Sequence, residues 1–326
     1  MKDSFGREIN YLRLSITDRC NLRCVYCMPL RGLSFAPADE LLSPLEIEAV
    51  VRAAAETGFT KIRLTGGEPT LRSDILHIIR RIKSVAGIKE LTMTTNGYFL
   101  PKLAKQMADA GLDRVNIHID AVNHDQLLRT MRLAEASKAW EAIAAAEEAG
   151  LTPIKLNAVV TRGYNEDDVH ELAKLTLEHP WHVRFIELMP LGAPAGIALD
   201  NLVTSAETIA LIEAQLGPVF PLNGGALDGE ARLYRLPGAQ GTLGFISPVS
   251  KPYCGDCNRM RVTADGKIRL CLLSDREIDF KTALRSGASH KTLVKLFEKA
   301  VAHKPWGHKL KEGIHPELRT MSQIGG

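Results

Sequence analysis

The sequence predicts an α/β protein: an incomplete (β/α)6 barrel of the TIM type, with a C-terminal α+β extension closing its open side. Three observations carry this reading. Short apolar strands alternate with helical periods six times in the first 200 residues, which argues a parallel sheet with helices outside. Six units rather than eight leave a barrel incomplete, and a doubly wound open sheet is the alternative. The chemistry-bearing motifs fall inside or just after the strands, where barrel active sites sit.

The first strand spans 11–17, where Leu12, Leu14 and Ile16 alternate with Arg13, Ser15 and Thr17. Five more are expected near 60–65, 89–95, 113–119, 154–160 and 182–188. Helical periods cover 44–57, 74–85, 101–110, 124–148 and 166–178. Ser43-Pro44 opens the first helix as N-cap and first-turn proline. A Pro/Gly/Ala loop breaks the alternation near 190–203. The expected division is therefore a barrel over 1–200 and an extension over 201–326. Short strands and helices near 205–215, 277–286 and 289–303 fill the extension.

Of the 326 residues, 45% are hydrophobic and 24% charged, with a formal net charge of +3. Those values suit a globular chain and imply no broad field for nucleic acid or membrane. No apolar run approaches a membrane span, and residues 1–8 lack the apolar core of a signal peptide. A cytoplasmic address follows, where thiols stay reduced. The six cysteines fall into two triplets at opposite ends of the chain, which a disulfide framework explains poorly.

Cys20, Cys24 and Cys27 are spaced C-x-x-x-C-x-x-C. Iron–sulfur clusters are usually held by four thiolates. Three leave one iron open, as a reactive metal requires. A zinc knot or three free thiols are the alternatives, although no histidine stands nearby to complete a zinc site.

This spacing, with Tyr26 before the third cysteine, resembles the radical S-adenosylmethionine (SAM) superfamily. The resemblance implies a [4Fe-4S] cluster whose open iron is chelated by the amino and carboxylate groups of SAM. One electron then splits SAM into methionine and a 5′-deoxyadenosyl radical, while the protein orients and excludes water. Thr65-Gly66-Gly67-Glu68-Pro69 resembles the superfamily's Gly-Gly-Glu-Pro motif, which implies that Gly66, Gly67 and Glu68 contact SAM. By itself it is a turn. The same resemblance puts Thr94 in the substrate and SAM pocket and Met189 near adenine, where a lone methionine is otherwise core filler. His118 stands where the superfamily usually has a SAM-contacting serine. It is either a SAM contact or a buried, hydrogen-bonded histidine.

Arg13, Lys61, Arg63, Lys155 and Arg184 lie within predicted strands, opposite their apolar neighbours. Lys and Arg are rarely buried without partners, so a barrel lumen lined this way calls for an anion, and a polyphosphate fits the count. Solvated strand ends, or pairing with Glu68, Asp120 or Glu187, is the alternative for any one of them.

Cys254, Cys257 and Cys271 form a second triplet, C-x-x-C-x13-C, with Arg259 and Arg261 between the thiols. A redox pair or half a zinc site is the alternative to a second cluster. Both triplets, the strand cations and residues 321–326 together resemble the branch of the superfamily that cyclises GTP in molybdenum cofactor biosynthesis. The likeness runs from about Arg13 to the last residue. It implies two [4Fe-4S] clusters, SAM as cofactor and GTP as substrate, with guanine at the second open iron. Arg13, Arg63, Lys155, Arg259 and Arg261 would hold triphosphate and ribose, with Lys61 and Arg184 as second choices, and the Gly-Gly end would reach the site. Hydrogen would leave the ribose 3′ carbon, the new radical would attack guanine carbon 8, and an electron and proton would complete the product. A flavodoxin- or ferredoxin-like donor and a monomer or homodimer are expected, with no nucleic-acid or membrane partner. Two other classes stay open: a non-catalytic iron–sulfur or zinc module, and a radical SAM enzyme acting on another phosphorylated substrate.

Overall fold

The computed structural model describes residues 1–191, 199–225 and 227–325. Six parallel strands follow the predicted order: β1 (Tyr11–Ser15), β2 (Lys61–Thr65), β3 (Glu90–Thr95), β4 (Arg114–His118), β5 (Lys155–Val160) and β6 (His182–Glu187). Between them run α1 (Pro44–Glu56), α2 (Ile75–Lys83), α3 (Leu100–Asp109), α4 (His124–Met131), α5 (Ala136–Glu148) and α6 (Val169–Glu178). Each helix forms for a local reason and buries one stripe. Ser43 and Glu46 make a reciprocal capping box at the start of α1. In α2, Ile75, Ile78, Ile79 and Ile82 recur at helical spacing and are all buried.

The later chain adds α7 (Ser205–Leu216), β7 (Phe220–Pro221), β8 (Leu227–Asp228), β9 (Ala231–Arg235), β10 (Thr242–Ile246), β11 (Arg259–Val262), β12 (Lys267–Arg269), β13 (Glu277–Asp279), α8 (Lys281–Arg285), α9 (His290–Ala302) and α10 (Met321–Ile324). It does more than cover an opening. β11 pairs parallel to β1, and β10 pairs parallel to β6. The sheet therefore runs β11-β1-β2-β3-β4-β5-β6-β10 in parallel, flanked by antiparallel strands at both ends. A TIM-type barrel fits this mostly parallel α/β sheet. The sequence pattern missed the two added strands because the short strands β7–β9 separate β10 from its helix α7, and no α-helix stands between β10 and β11. One hydrophobic core joins the parts, with Phe297 of α9 edge-on to both Phe59 and Phe280.

Two expected helices break, each for a visible reason. The helix read over 124–148 divides into α4 and α5, with Arg132 and Leu133 at positive φ. The break frees carbonyls at the end of α4: Thr130 accepts from the Val25 N–H at 2.9 Å and Met131 from the Arg23 N–H at 3.3 Å. These bonds flank Cys24. The helix read over 277–286 begins instead as β13. Its register sets Asp279 against Lys267 and Glu277 against Arg269, and opposite charges across a ladder favour the strand.

Arg269 is 1% exposed. It donates to Glu277 at 2.7 Å and to the Ser274 carbonyl at 2.5 Å, bracing the turn that carries Cys271. Asp275 lies farther off, 3.5 Å from the same guanidinium, so removing Glu277 takes away the hydrogen-bonded partner of this buried charge. Glu277→Ala should cost about 3 kcal/mol of stability, measured by anaerobic denaturant unfolding. A cost well under 1 kcal/mol would show that Arg269 does not depend on this pair.

Candidate active site

The first thiol triplet follows β1 at the C-terminal end of the parallel strands. Its loop rests on the glycine pair after β2. The Gly67 N–H donates to the Thr17 carbonyl at 2.8 Å, and the Glu68 N–H to the Arg19 carbonyl at 2.7 Å. A Cβ on Gly67 would fall 2.1 Å from the Arg19 carbonyl oxygen, and one on Gly66 would fall 2.6 Å from that of Thr17. The glycines thus let two backbone segments touch, so the turn carries the cysteine loop as well as facing the cavity.

Glu68 is buried, and its carboxylate accepts from the Thr70 N–H and hydroxyl, the Thr95 hydroxyl and the Asn96 N–H. It ties the ends of β2 and β3 together. Burial raises its pKa above the usual carboxylate value despite these donors. Tyr26 donates to Asp120 Oδ2 at 2.6 Å and contacts His118 Nε2, while Asp120 Oδ1 lies 3.1 Å from the same nitrogen. Burial would hold His118 neutral, but Asp120 and Glu68 raise its pKa above the ordinary value. His118 therefore has internal partners and also lines the cavity. Thr94 Oγ1 is buried at the same wall without a hydrogen-bond partner.

This cavity, about 200 Å³, is lined by Cys20, Cys24, Cys27, Gly66, Gly67 and Met189 among others. A second, about 80 Å³, is lined by Cys254, Cys257 and Cys271. Met189, Tyr253, Arg261 and Leu272 belong to both linings, so the two triplets face adjoining spaces. All six thiols are free and half-buried. Burial pushes Cys20 up to about 11 and Cys27 up to about 12. Burial would also raise Cys257, but Lys304 and Arg259 hold it below the ordinary thiol value.

The spacing of the sulfurs tests what they fit. One tetrahedral zinc draws its thiolates to roughly 3.8 Å of one another. Neither triplet is that tight: among the described residues, the metal-competent group with ligand atoms all within 4.8 Å is Cys24, His118 and Asp120. Wider triangles suit a polynuclear iron–sulfur cluster.

The strand cations separate by depth. Arg13, Arg63 and Arg184 are buried with Arg259 and Arg261, at 4% to 9% exposure. Register sets Arg261 of β11, Arg13 of β1 and Arg63 of β2 side by side in one row. Lys155 is half-buried, whereas Lys61 lies at the exposed N-terminal rim of β2, 3.4 Å from Glu90. Burial, then Arg13, pushes Arg261 down to about 9. Arg261 Nη1 donates to the Gly325 carbonyl at 2.7 Å. Gly325 adopts φ +83°, and a Cβ there would lie 2.4 Å from Thr65 Oγ1. The tail thus reaches the ends of β1 and β2; its last residue, Gly326, lies outside the described residues.

Three contributors escaped the sequence reading. Arg7, braced by Asp3, donates to the Cys254, Pro305 and Trp306 carbonyls and pins the second thiol loop. Lys304 is buried beside that triplet and donates to the Leu270 carbonyl at 3.3 Å. Glu230 sits among the arginines, 3.0 Å from Arg259 and 3.9 Å from Arg13. None lies in a motif, so no local signal marks them.

Comparison with known proteins follows this geometry. Residues 14–176 match the Radical SAM superfamily, and residues 181–310 match Molybdenum Cofactor Synthesis C. The chain is 49% identical to a GTP 3′,8-cyclase of Pelotomaculum thermopropionicum and 45% identical to one of Moorella thermoacetica, each over 100% of both chains. In fold it is similar to Streptococcus suis SuiB bound to a precursor peptide (TM-score 0.61, 15% identity), covering 84% of this chain and 63% of that one.

The glycine turn gives a direct check. Gly67→Ala should lower stability by about 1–3 kcal/mol through overpacking against backbone. Gly255→Ala, whose Cβ would meet only Trp306 ring atoms at 3.6 Å and beyond, should be near neutral. Equal thermal unfolding of the two variants would refute the assigned backbone contact.

Proposed function

The chain belongs to the GTP 3′,8-cyclase family of the radical SAM superfamily, and on that premise we propose that its adjoining cavities hold GTP between two [4Fe-4S] clusters. The reaction is conversion of GTP to (8S)-3′,8-cyclo-7,8-dihydroguanosine 5′-triphosphate, an early step of molybdenum cofactor biosynthesis. The observation that carries this reading is the pair of thiol triplets opening on spaces that share Met189, Tyr253, Arg261 and Leu272.

Cys20, Cys24 and Cys27 would hold one cluster, and Cys254, Cys257 and Cys271 the other. When bound, the first cluster and SAM supply one-electron chemistry that removes a hydrogen atom from the substrate. The chain's own residues do the rest. Gly66, Gly67, Tyr26, His118 and Met189 shape the SAM side, and Glu68 keeps that wall in place. Arg13, Arg259 and Arg261 of the adjoining cavities hold phosphate and ribose together with Arg63 and Lys155, which line a further space at the N-terminal ends of the strands, with Lys61 and Arg184 behind them there and the Thr94 hydroxyl at the SAM-side wall. Guanidinium forks suit phosphate oxygens. Anchoring both ends of GTP holds the two carbons that must bond in near-attack geometry. The 321–325 segment narrows the cavity and keeps water out.

The same reading treats residues 1–200 as an incomplete (β/α)6 barrel and 201–326 as the extension that closes it. It places the protein in the cytoplasm as a monomer or homodimer served by a flavodoxin- or ferredoxin-like electron donor. No described helix is long and apolar enough to cross a membrane.

Anaerobic reconstitution should load about eight irons per chain. With GTP, SAM and dithionite, the protein should release deoxyadenosine and a cyclised product. Cys24→Ala should abolish both, and Cys257→Ser should abolish the product. Normal turnover by Cys257→Ser would sink the two-cluster reading. Arg261→Ala should weaken GTP binding by about tenfold or more, as loss of a charged hydrogen bond does. Equal affinity for ATP and GTP would instead favour another phosphorylated substrate.

A further inference from the structure

A third cavity, about 120 Å³, opens at the N-terminal ends of the parallel strands. Arg63, Lys155 and Arg184 line it, together with Lys61 and Arg114, which both pair with Glu90. Into this basic floor projects the tip of the β8–β9 hairpin. Its register, Asp228 opposite Ala231, leaves a two-residue loop, Gly229-Glu230. Gly229 has φ +67°, as the first position of such tight hairpin turns requires.

The Glu230 carboxylate reaches Arg259 at 3.0 Å and Arg13 at 3.9 Å, with its side chain 12% exposed. Burial alone would raise its pKa; Arg259, Arg63, Arg13 and Arg184 together hold it well below the usual carboxylate range. The carboxylate thus sits at the focus of the cations assigned above to phosphate. In-register arginines on neighbouring strands repel, and a buried cation group needs an anion.

We propose that Glu230 is a built-in stand-in for phosphate: it neutralises the arginine cluster while the site is free, and a polyphosphate must displace it to bind. This rests on the phosphate-binding role given to the arginines. The hairpin tip acts as a competing intramolecular anion, so only a ligand carrying several negative charges gains entry. That selects a nucleoside triphosphate over the nucleoside itself. Ala231, the next residue, is fully buried at the start of β9, so displacement is a rotation of the Glu230 side chain away from the arginines and leaves the hairpin backbone in place.

The test is equilibrium binding of GTP, inorganic tripolyphosphate and guanosine to anaerobically reconstituted wild-type and Glu230→Gln protein. Glu230→Gln keeps the side-chain shape and removes the charge. Removing one close like charge should tighten GTP and tripolyphosphate by about tenfold and leave guanosine unchanged. It should also lower the melting temperature of the free protein, with tripolyphosphate restoring it. Unchanged or weaker tripolyphosphate binding by Glu230→Gln, alongside normal wild-type GTP binding, overturns the stand-in alone. Wild-type protein that binds neither GTP nor tripolyphosphate overturns the phosphate reading beneath it. Should Glu230→Gln not fold, Glu230→Asp draws the charge back by one methylene. It must then bind tripolyphosphate more tightly than wild type, or the proposal fails.

Discussion

Buried positive charge is the constraint on which the rest of this structure depends. Arg13, Arg63, Arg184, Arg259 and Arg261 converge inside the sheet from both halves of the chain. Five guanidinium groups in so little water repel one another and lose hydration. The fold answers with Glu230 and with aromatic faces. Arg63 and Arg259 lie 5.6 Å and 5.9 Å from the Tyr11 ring, and Arg259 lies 5.2 Å from that of Tyr253. These partners make the cluster tolerable and leave it receptive to an anionic ligand.

That constraint explains why the later chain is built into the sheet rather than laid over it. β11 pairs with β1, so Arg259 and Arg261 enter the same rows as Tyr11 and Arg13. The same parallel pairing sets the second thiol loop just before β11, at the other end of the strands from the first, with Arg261 lining the spaces of both. Arg7, near the start of the sequence, then ties the Cys254 carbonyl to those of Pro305 and Trp306. The halves are thus interlocked at the point where their chemistry meets.

Local rules explain where the sequence reading held. The strands β1–β6 and the capped start of α1 lie close to where periodicity and Ser43-Pro44 put them. Both thiol triplets and the depth of Arg13, Arg63 and Arg184 followed from spacing and alternation. Local rules also explain the misses. The helical period through 124–148 gave no sign that carbonyls of α4 would be needed by the cysteine loop. The charges of Glu277 and Asp279 looked like a helix face because their partners, Arg269 and Lys267, are visible only in the β12–β13 register. The glycine pair lines the cavity as expected, and what no local pattern announced is its second task, the close approach to the Thr17 and Arg19 carbonyls.

By itself, the sequence determined the donor chemistry: two sets of three thiols, a run of in-strand cations, and the order of strands and helices. These follow from covalent spacing and side-chain periodicity, which act over a few residues. Only the tertiary structure decided that the two thiol sets face adjoining spaces and that Arg261, Arg13 and Arg63 stand in one row. It alone set the Glu230 carboxylate within reach of both Arg13 and Arg259. The physical reason is that strand pairing joins residues nearly 250 positions apart, and the electrostatic energy of such a cluster depends on distances no local pattern encodes.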